Sequence, residues 1–69
     1  MTQNTQVLMH LSTGESLTAS EARLLYHIER LASRIEELKR AGHNIETVME
    51  TFTTVLGHRG RYARYKLIK

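Results

Sequence analysis

The sequence predicts an α+β fold in which three helices precede a β-hairpin, and two observations support this order. Apolar residues recur with helical spacing as far as Gly42, and beyond it they alternate with polar residues, as in strands. Gly57 and Gly60 then mark a turn between two alternating stretches. Because 69 residues fit one small domain, we expect a single domain over residues 1–69, with residues 1–4 flexible.

The first two helices are predicted from an apolar stripe and a start signal. The stripe is Val7, Leu8 and Leu11, which together with Asn4 fall at i, i+3, i+4 and i+7 and so line one side of a helix that Gly14 ends. The second helix starts at a capping box, since Thr18 can accept from the backbone amide of Glu21 while the Glu21 side chain returns the bond. Leu17 and Ala22 are spaced as a hydrophobic staple. Leu17 can also add a one-residue strand to the hairpin.

A turn is predicted around Tyr26 and His27, where the phase of the apolar stripe shifts. A third helix over residues 28–41 follows, because a second stripe begins there with Ile28, Leu31, Ile35 and Leu38. Gly42 supplies its left-handed C-terminal stop. Such a helix is about 20 Å long, a suitable length to cross a DNA groove.

The hairpin is predicted over residues 45–68. Its first strand begins with the alternating residues Ile45, Thr47 and Met49. The β-branched stretch 51–56 extends this strand, and residues 57–60 form the turn. The second strand contains Ala63, Tyr65 and Leu67 in alternation, which places Tyr65 in the core and Tyr62 outside it.

Charge is divided unevenly along the chain. Residues 1–38 carry a net charge of −2 and residues 39–69 a net charge of +5, and the last eleven residues contain five cations and no carboxylate. A basic end of this kind suits a polyanionic partner, and it equally suits a solvated tail. Charge alone does not decide between them.

Composition excludes several classes of protein. The absence of cysteine removes disulfides and thiolate sites, and the absence of aspartate removes a Ser-His-Asp triad. The four histidines stand singly, and no phosphate-binding glycine loop is present. No signal peptide or membrane-spanning stretch is apparent. We therefore expect a cytoplasmic protein that is not an enzyme and has no cofactor, metal or small-molecule substrate.

The segments together resemble a winged helix-turn-helix, and more specifically a family of small helix-turn-helix domains common in phages and prophages. The resemblance covers about residues 6–67, and it is carried by 17–22, 26–28, 30–35, Leu38, Gly42, 45–47 and 61–65. It implies that the third helix enters the major groove of DNA and that the hairpin is the wing.

Two features depart from that family pattern. His27 stands where glycine is expected, so either the turn is less tight or His27 itself faces the ligand. The stretch 51–60 is longer than a minimal wing, which leaves its path and its contacts open.

Two groups of side chains are the candidate DNA contacts. Those around the start of the recognition helix are His27, Arg30, Ser33 and Arg34. Those in the hairpin, which can hold phosphates or enter a minor groove, are His58, Arg59, Arg61 and Arg64. The alternatives are that Arg34 pairs with Glu37 while Arg30 is solvated, and that the hairpin cations protect an exposed strand edge.

Three functions are compatible with these residues. The first is a sequence-specific transcriptional regulator of a phage or mobile element, which binds double-stranded DNA as a homodimer or with a partner protein. The second is a winged-helix module that binds and inhibits or adapts a host protein. The third is an excisionase-like architectural protein that bends DNA. A protein-binding recognition helix would expose an apolar patch, whereas here the apolar stripe is used in the core, which favours DNA.

Overall fold

Three helices and a three-stranded antiparallel sheet make up the part of the chain that the computed structural model describes, residues 2–68. In chain order the elements are α1 Gln3–Ser12, β1 Leu17–Thr18, α2 Ala19–Tyr26, α3 Leu31–Arg40, β2 Ile45–Thr53 and β3 Arg59–Leu67. The strand order is β1-β3-β2. The predicted α+β order of three helices and a hairpin is confirmed.

One core joins the helices to the base of the sheet. The helical stripes supply most of it, and β1, β2 and β3 each add one large side chain. Its buried members are Val7, Leu11, Leu17, Ala22, Ile28, Leu31, Ile35, Leu38, Ile45 and Tyr65. The predicted inward position of Tyr65 is confirmed. Burial of these apolar groups is the main favourable term in folding a chain of this size.

The first helix begins earlier than the stripe predicted. The Thr2 hydroxyl accepts a hydrogen bond from the Thr5 amide at 3.1 Å and caps α1, which starts at Gln3. Residues 2–4, predicted to be flexible, are therefore the cap and first residues of a helix, while Met1 lies outside the described residues. The short side chain of Thr2 satisfies an amide that would otherwise lack a partner.

The capping box at α2 forms as predicted and joins this helix to the sheet. The Glu21 amide donates to the Thr18 hydroxyl at 3.2 Å, and the Thr18 amide donates to the Glu21 carboxylate at 3.0 Å. Leu17 pairs with Tyr65 and Thr18 with Arg64. The expected bridge at Leu17 is thus present and extends over two residues.

A second polar tie holds α1 against α2. His10 Nδ1 lies 2.7 Å from the Tyr26 hydroxyl, and His10 Nε2 lies 3.0 Å from the Ser16 carbonyl oxygen. A neutral imidazole with its proton on Nε2 satisfies both bonds, since Nε2–H donates to the carbonyl and Nδ1 accepts from the hydroxyl. His10 therefore has a structural task between the two helices and the loop that joins them.

The third helix begins at Leu31 and not at residue 28 as predicted. His27 adopts the left-handed conformation, with φ of 57°, and ends α2. Ile28 is still buried in the core, but the chain from Ile28 to Arg30 is the turn, and Arg30 is the residue before the helix. The apolar stripe is therefore longer than the helix, because a turn residue contributes to it. At the other end, His43 donates to the Leu38 carbonyl and Gly42 to that of Lys39, with Gly42 left-handed as predicted.

The hairpin turn lies three residues earlier than the predicted turn at 57–60. β2 ends at Thr53 and β3 starts at Arg59, so the predicted strand extension is correct to Thr53 only. Gly57 has the positive φ, 85°, that the turn requires. Gly60 instead lies within β3 opposite Phe52, and the Phe52 ring covers the space that a side chain at 60 would need. Gly60 is therefore required by packing against Phe52 and not by the turn.

No helix among residues 2–68 combines the length and the hydrophobicity needed to cross a membrane.

His27→Gly is expected to raise the free energy of unfolding by up to about 1.5 kcal/mol. A left-handed residue with a Cβ costs about 1–2 kcal/mol, and the extra freedom of glycine in the unfolded chain offsets about 0.5–1 kcal/mol of that gain. Urea unfolding followed by circular dichroism measures the change. Gly42→Ala is the matched opposite variant, since it places a Cβ at φ of 103°, and it should lower stability. A loss of stability in His27→Gly would show that the imidazole makes a stabilising contact.

Candidate nucleic-acid interface

The outward side of α3 is fixed by the side that α3 buries. Leu31, Ile35 and Leu38 are buried, and at 100° per residue the opposite side carries Ser33 and Arg40. Both of these side chains are exposed. The start of α3 therefore presents a polar side that the core does not use.

Arg30 is the residue immediately before α3, and its side chain is exposed. Within residues 2–68 it makes no ion pair, and its own carbonyl accepts the Arg34 amide at 3.2 Å, the first bond of the helix. Its side chain is thus available to a ligand while its backbone is held by α3.

Arg34 is paired with Glu37, one of the two alternatives that the sequence left open. Arg34 Nε lies 2.9 Å from Glu37 Oε1, and the Arg34 side chain is 31% exposed. The contact is an ion pair without a directed hydrogen bond, because the Nε–H finds no acceptor in line. The charge of Arg34 is therefore partly compensated on the helix surface itself.

His27 is exposed at the left-handed corner between α2 and α3. The backbone there is kept in place by the His27 amide, which donates to the Arg23 carbonyl at 3.0 Å. The turn is not less tight, because His27 adopts the left-handed conformation expected of a glycine. The other alternative, that His27 faces the ligand, stays a prediction. His27 thus lies in the turn just before α3.

The wing arginines lie on the same face of the sheet as α3. Lys39 Nζ donates to Thr47 Oγ1 at 3.4 Å, which identifies the face of β2 nearest α3. Strand alternation and the pairing of Thr51 with Arg61 and of Thr53 with Arg59 place both arginines on that face. Arg59 and Arg61 are exposed, and neither makes an ion pair within residues 2–68.

Arg64, the fourth hairpin candidate, lies on the opposite face and is held by the protein. It donates to Glu50, and its Nη1 lies 2.9 Å from Ser16 Oγ and 3.7 Å from Glu21 Oε1. The hydrogen bond with Glu50, followed by that with Tyr62, raises the pKa of the Arg64 guanidinium. Arg64 thus joins β3 to β2, to the loop before β1 and to the start of α2. These contacts give it a structural role, and its contact with a phosphate stays a prediction.

Tyr62 lies outside the core, on the face opposite Tyr65, as alternation predicted. It is half-buried, its ring lies 6.1 Å from that of Phe52, and the Arg64 guanidinium lies 5.9 Å from its centre. The far face of the wing therefore carries a packed cluster of aromatic and ion-paired groups, whereas the near face carries free cations.

His58 is exposed at the end of the hairpin turn, where its amide donates to Thr54 Oγ1 at 3.1 Å. Six of the eight candidates are thus exposed, namely His27, Arg30, Ser33, His58, Arg59 and Arg61. Across residues 2–68 no three His, Cys, Asp or Glu side chains come together as a possible metal site.

Comparison with known proteins adds the family. A family model described as a winged helix-turn-helix domain matches residues 2–69. No curated protein and no solved structure matches the chain. The match extends over nearly the whole sequence, and the three helices with a β1-β3-β2 sheet have the order that such a domain requires. This chain therefore belongs to the winged helix-turn-helix domain family.

Proposed function

We propose that this chain is a transcriptional regulator that binds double-stranded DNA, with α3 in the major groove and the near face of the wing on the backbone. Membership in the winged helix-turn-helix family suggests DNA as the ligand and a role without catalysis. The observation that carries the proposal is the position of Arg59 and Arg61, which lie unpaired on the face of the sheet that α3 also occupies.

The outward side of α3 suits base contacts. Ten residues extend about 15 Å at about 1.5 Å per residue, and the major groove is about 12 Å wide. Arg30 and Ser33 stand at the helix start, where a recognition helix meets base edges. Ser33 can donate to or accept from several bases, and Arg30 can bind guanine with two hydrogen bonds.

Glu37 has a positioning role in this proposal. It holds Arg34 at the helix surface through Nε, and the guanidinium keeps further N–H groups that can meet a base or a phosphate. The carboxylate also repels nearby phosphates, so it disfavours registers that bring the backbone close to α3. Arg34 and Glu37 would then act as one recognition unit.

The surface composition of α3 favours DNA over a protein ligand. The large apolar side chains that are exposed in residues 2–68 are Met9, Leu24, Leu25, Met49, Phe52, Val55, Leu56 and Ile68, and none of them belongs to α3. A helix that docks in a protein groove presents a row of apolar anchors. The polar side of α3 lacks such a row.

A single module of this size buries about 600–1,000 Å² on DNA, so a specific site generally takes two copies or a partner protein. We therefore include a homodimer or a partner protein in the proposal. A phage or mobile-element origin, which the sequence resemblance implies, belongs to the same proposal.

Selection from a randomised duplex library at near-physiological salt tests the function. An enriched motif is the expected result, and a palindromic motif would indicate a dimer. Retention of duplexes without enrichment would limit the function to nonspecific DNA binding. No retention at low salt would contradict the proposal, and binding to an acidic host protein would then replace it.

Arg30→Ala and Arg34→Ala should each weaken binding to the selected duplex by about 1–3 kcal/mol. Binding to scrambled duplexes should change less, because base contacts are lost and not only charge. Fluorescence anisotropy with both duplexes gives the comparison. Lys66→Ala, which removes an exposed cation of β3 on the far face of the hairpin, is a control for charge alone. Equal losses on selected and scrambled duplexes would remove both arginines from base recognition.

Arg59→Ala and Arg61→Ala should each weaken binding to all duplexes alike and reduce the slope of log K against log salt by about one. Lys66→Ala is the matched control, since Lys66 is an exposed cation of β3 that lies opposite Glu46, on the far face of the wing. It removes the same charge and should leave the slope nearly unchanged. An equal change of slope in all three variants would show a general effect of net charge and not a phosphate contact.

A further inference from the structure

The tip of the wing exposes two aliphatic side chains where a hairpin turn usually has polar residues. Val55 and Leu56 are 105% and 85% exposed, and they occupy the two central positions of the turn that the Gly57 amide closes onto the Thr54 carbonyl at 2.9 Å. Asn, Asp, Gly and Ser are the residues favoured in such turns. Neither side chain contributes to the core, so folding does not account for them.

The turn that carries them is well ordered by its own hydrogen bonds. The Thr54 amide donates to the His58 carbonyl at 2.8 Å, and the His58 amide donates to Thr54 Oγ1 at 3.1 Å. Gly57 supplies the left-handed residue that a three-residue hairpin loop needs. The two aliphatic groups therefore project from a fixed support, which lowers the entropy lost when they bind.

The surroundings of the tip are suited to a polyanion. From Thr51 to Arg61 the charged residues are Arg59 and Arg61, with His58 between them and the turn, and no carboxylate is present. Arg59 pairs with Thr53 in the last rung of the hairpin. An apolar tip thus stands directly beyond cations that are free to hold phosphates.

The size of the tip argues against a protein surface as its ligand. A stable protein interface buries about 800 Å² on each partner, whereas two side chains on a ribbon of two strands form a narrow projection. The nearest large apolar group along β2 is Phe52, which is 47% exposed. Its ring lies over Gly60 and beside Tyr62, so it belongs to the far face of the hairpin and not to the tip. A narrow apolar group flanked by phosphate-binding cations suits the step between two base pairs.

We propose that Val55 and Leu56 form an apolar wedge that enters the minor groove, partly unstacks one base step and bends the DNA. The inference rests on the proposed DNA-binding function and adds to it a deformation of the ligand. Apolar side chains inserted from the minor groove kink the duplex toward the major groove. Pyrimidine–purine steps yield most easily, so the wedge would favour sites with such a step beneath the tip.

Energy transfer between dyes at the two ends of a duplex of about 30 base pairs, well below the persistence length of about 150 base pairs, tests the wedge. The duplex carries the sequence selected from the random library. Wild-type protein should shorten the distance between the ends. Val55→Thr combined with Leu56→Asn keeps the shape of both side chains and adds polar atoms, and it should return the distance to that of free DNA while weakening binding by no more than about tenfold.

Two further variants separate the wedge from other effects. Leu56→Met keeps an apolar side chain of similar volume and should retain the bend. Leu24→Asn makes the same polar change at an aliphatic residue of α2 that is 81% exposed, and it should change neither binding nor the bend. Thermal unfolding of every variant should match the wild type, since none of these side chains is buried.

The outcomes distinguish the two proposals. Binding without a bend in the wild type, or an unchanged bend in the Val55→Thr and Leu56→Asn double variant, would overturn the wedge and leave DNA binding intact. Failure of the wild type to bind any duplex would overturn both. Loss of a protein partner in the double variant, with the bend unchanged, would assign the tip to a protein surface instead.

Discussion

Burial of the stripe formed by Leu31, Ile35 and Leu38 is the constraint on which the rest of the molecule depends. A small chain has only one core, and all three helices and the base of the sheet must share it. Because the stripe fixes the rotation of α3, it also determines that Ser33 and Arg40 face outward. The core covers only the base of the hairpin, and the two strands continue beyond it. Met49 in β2 is already outside the core, with 59% of its surface exposed. The polar side of α3 and the exposed part of the hairpin therefore lie where the core ends.

The arginines on the two faces of the hairpin differ in their contacts. On the far face Arg64 contacts Glu50, Glu21 and Ser16, and these contacts hold the hairpin against the start of α2. On the near face Arg59 and Arg61 have only threonines opposite them. Since alternation sends adjacent residues to opposite faces, the run from Arg59 to Arg64 places arginines on both. The same type of residue is thus a structural tie in one position and a free cation three residues away.

The sequence was sufficient to predict the element order, the capping box at Thr18, the core position of Tyr65 and the stop at Gly42, because each depends on local spacing. It was not sufficient for the start of α3, since Ile28 belongs to the buried stripe while it lies in a turn. It also misplaced the hairpin turn, because Gly57 and Gly60 are equivalent in sequence and only packing against Phe52 separates them. That error affects the site, since the register decides which residue meets Arg64. A turn at 57–60 would bring Thr53 opposite Arg64, whereas the true register brings Val48 there and Glu50 beside it.

The arrangement of the hairpin is consistent with the wedge proposed for its tip. The Arg64 cluster secures the base of the hairpin, and the hydrogen bonds of Thr54 secure its turn, so the hairpin is fixed at both ends without any contact between its tip and the core. A tip supported in this way can contact a ligand without unfolding, because the paired strands β2 and β3 connect it to the rest of the domain. Arginines between the core and the tip would hold the phosphates against which such a wedge acts. An apolar tip on a flexible loop would instead fold back onto the protein. Its two aliphatic side chains would then already be buried, and binding to DNA would bury no further apolar surface.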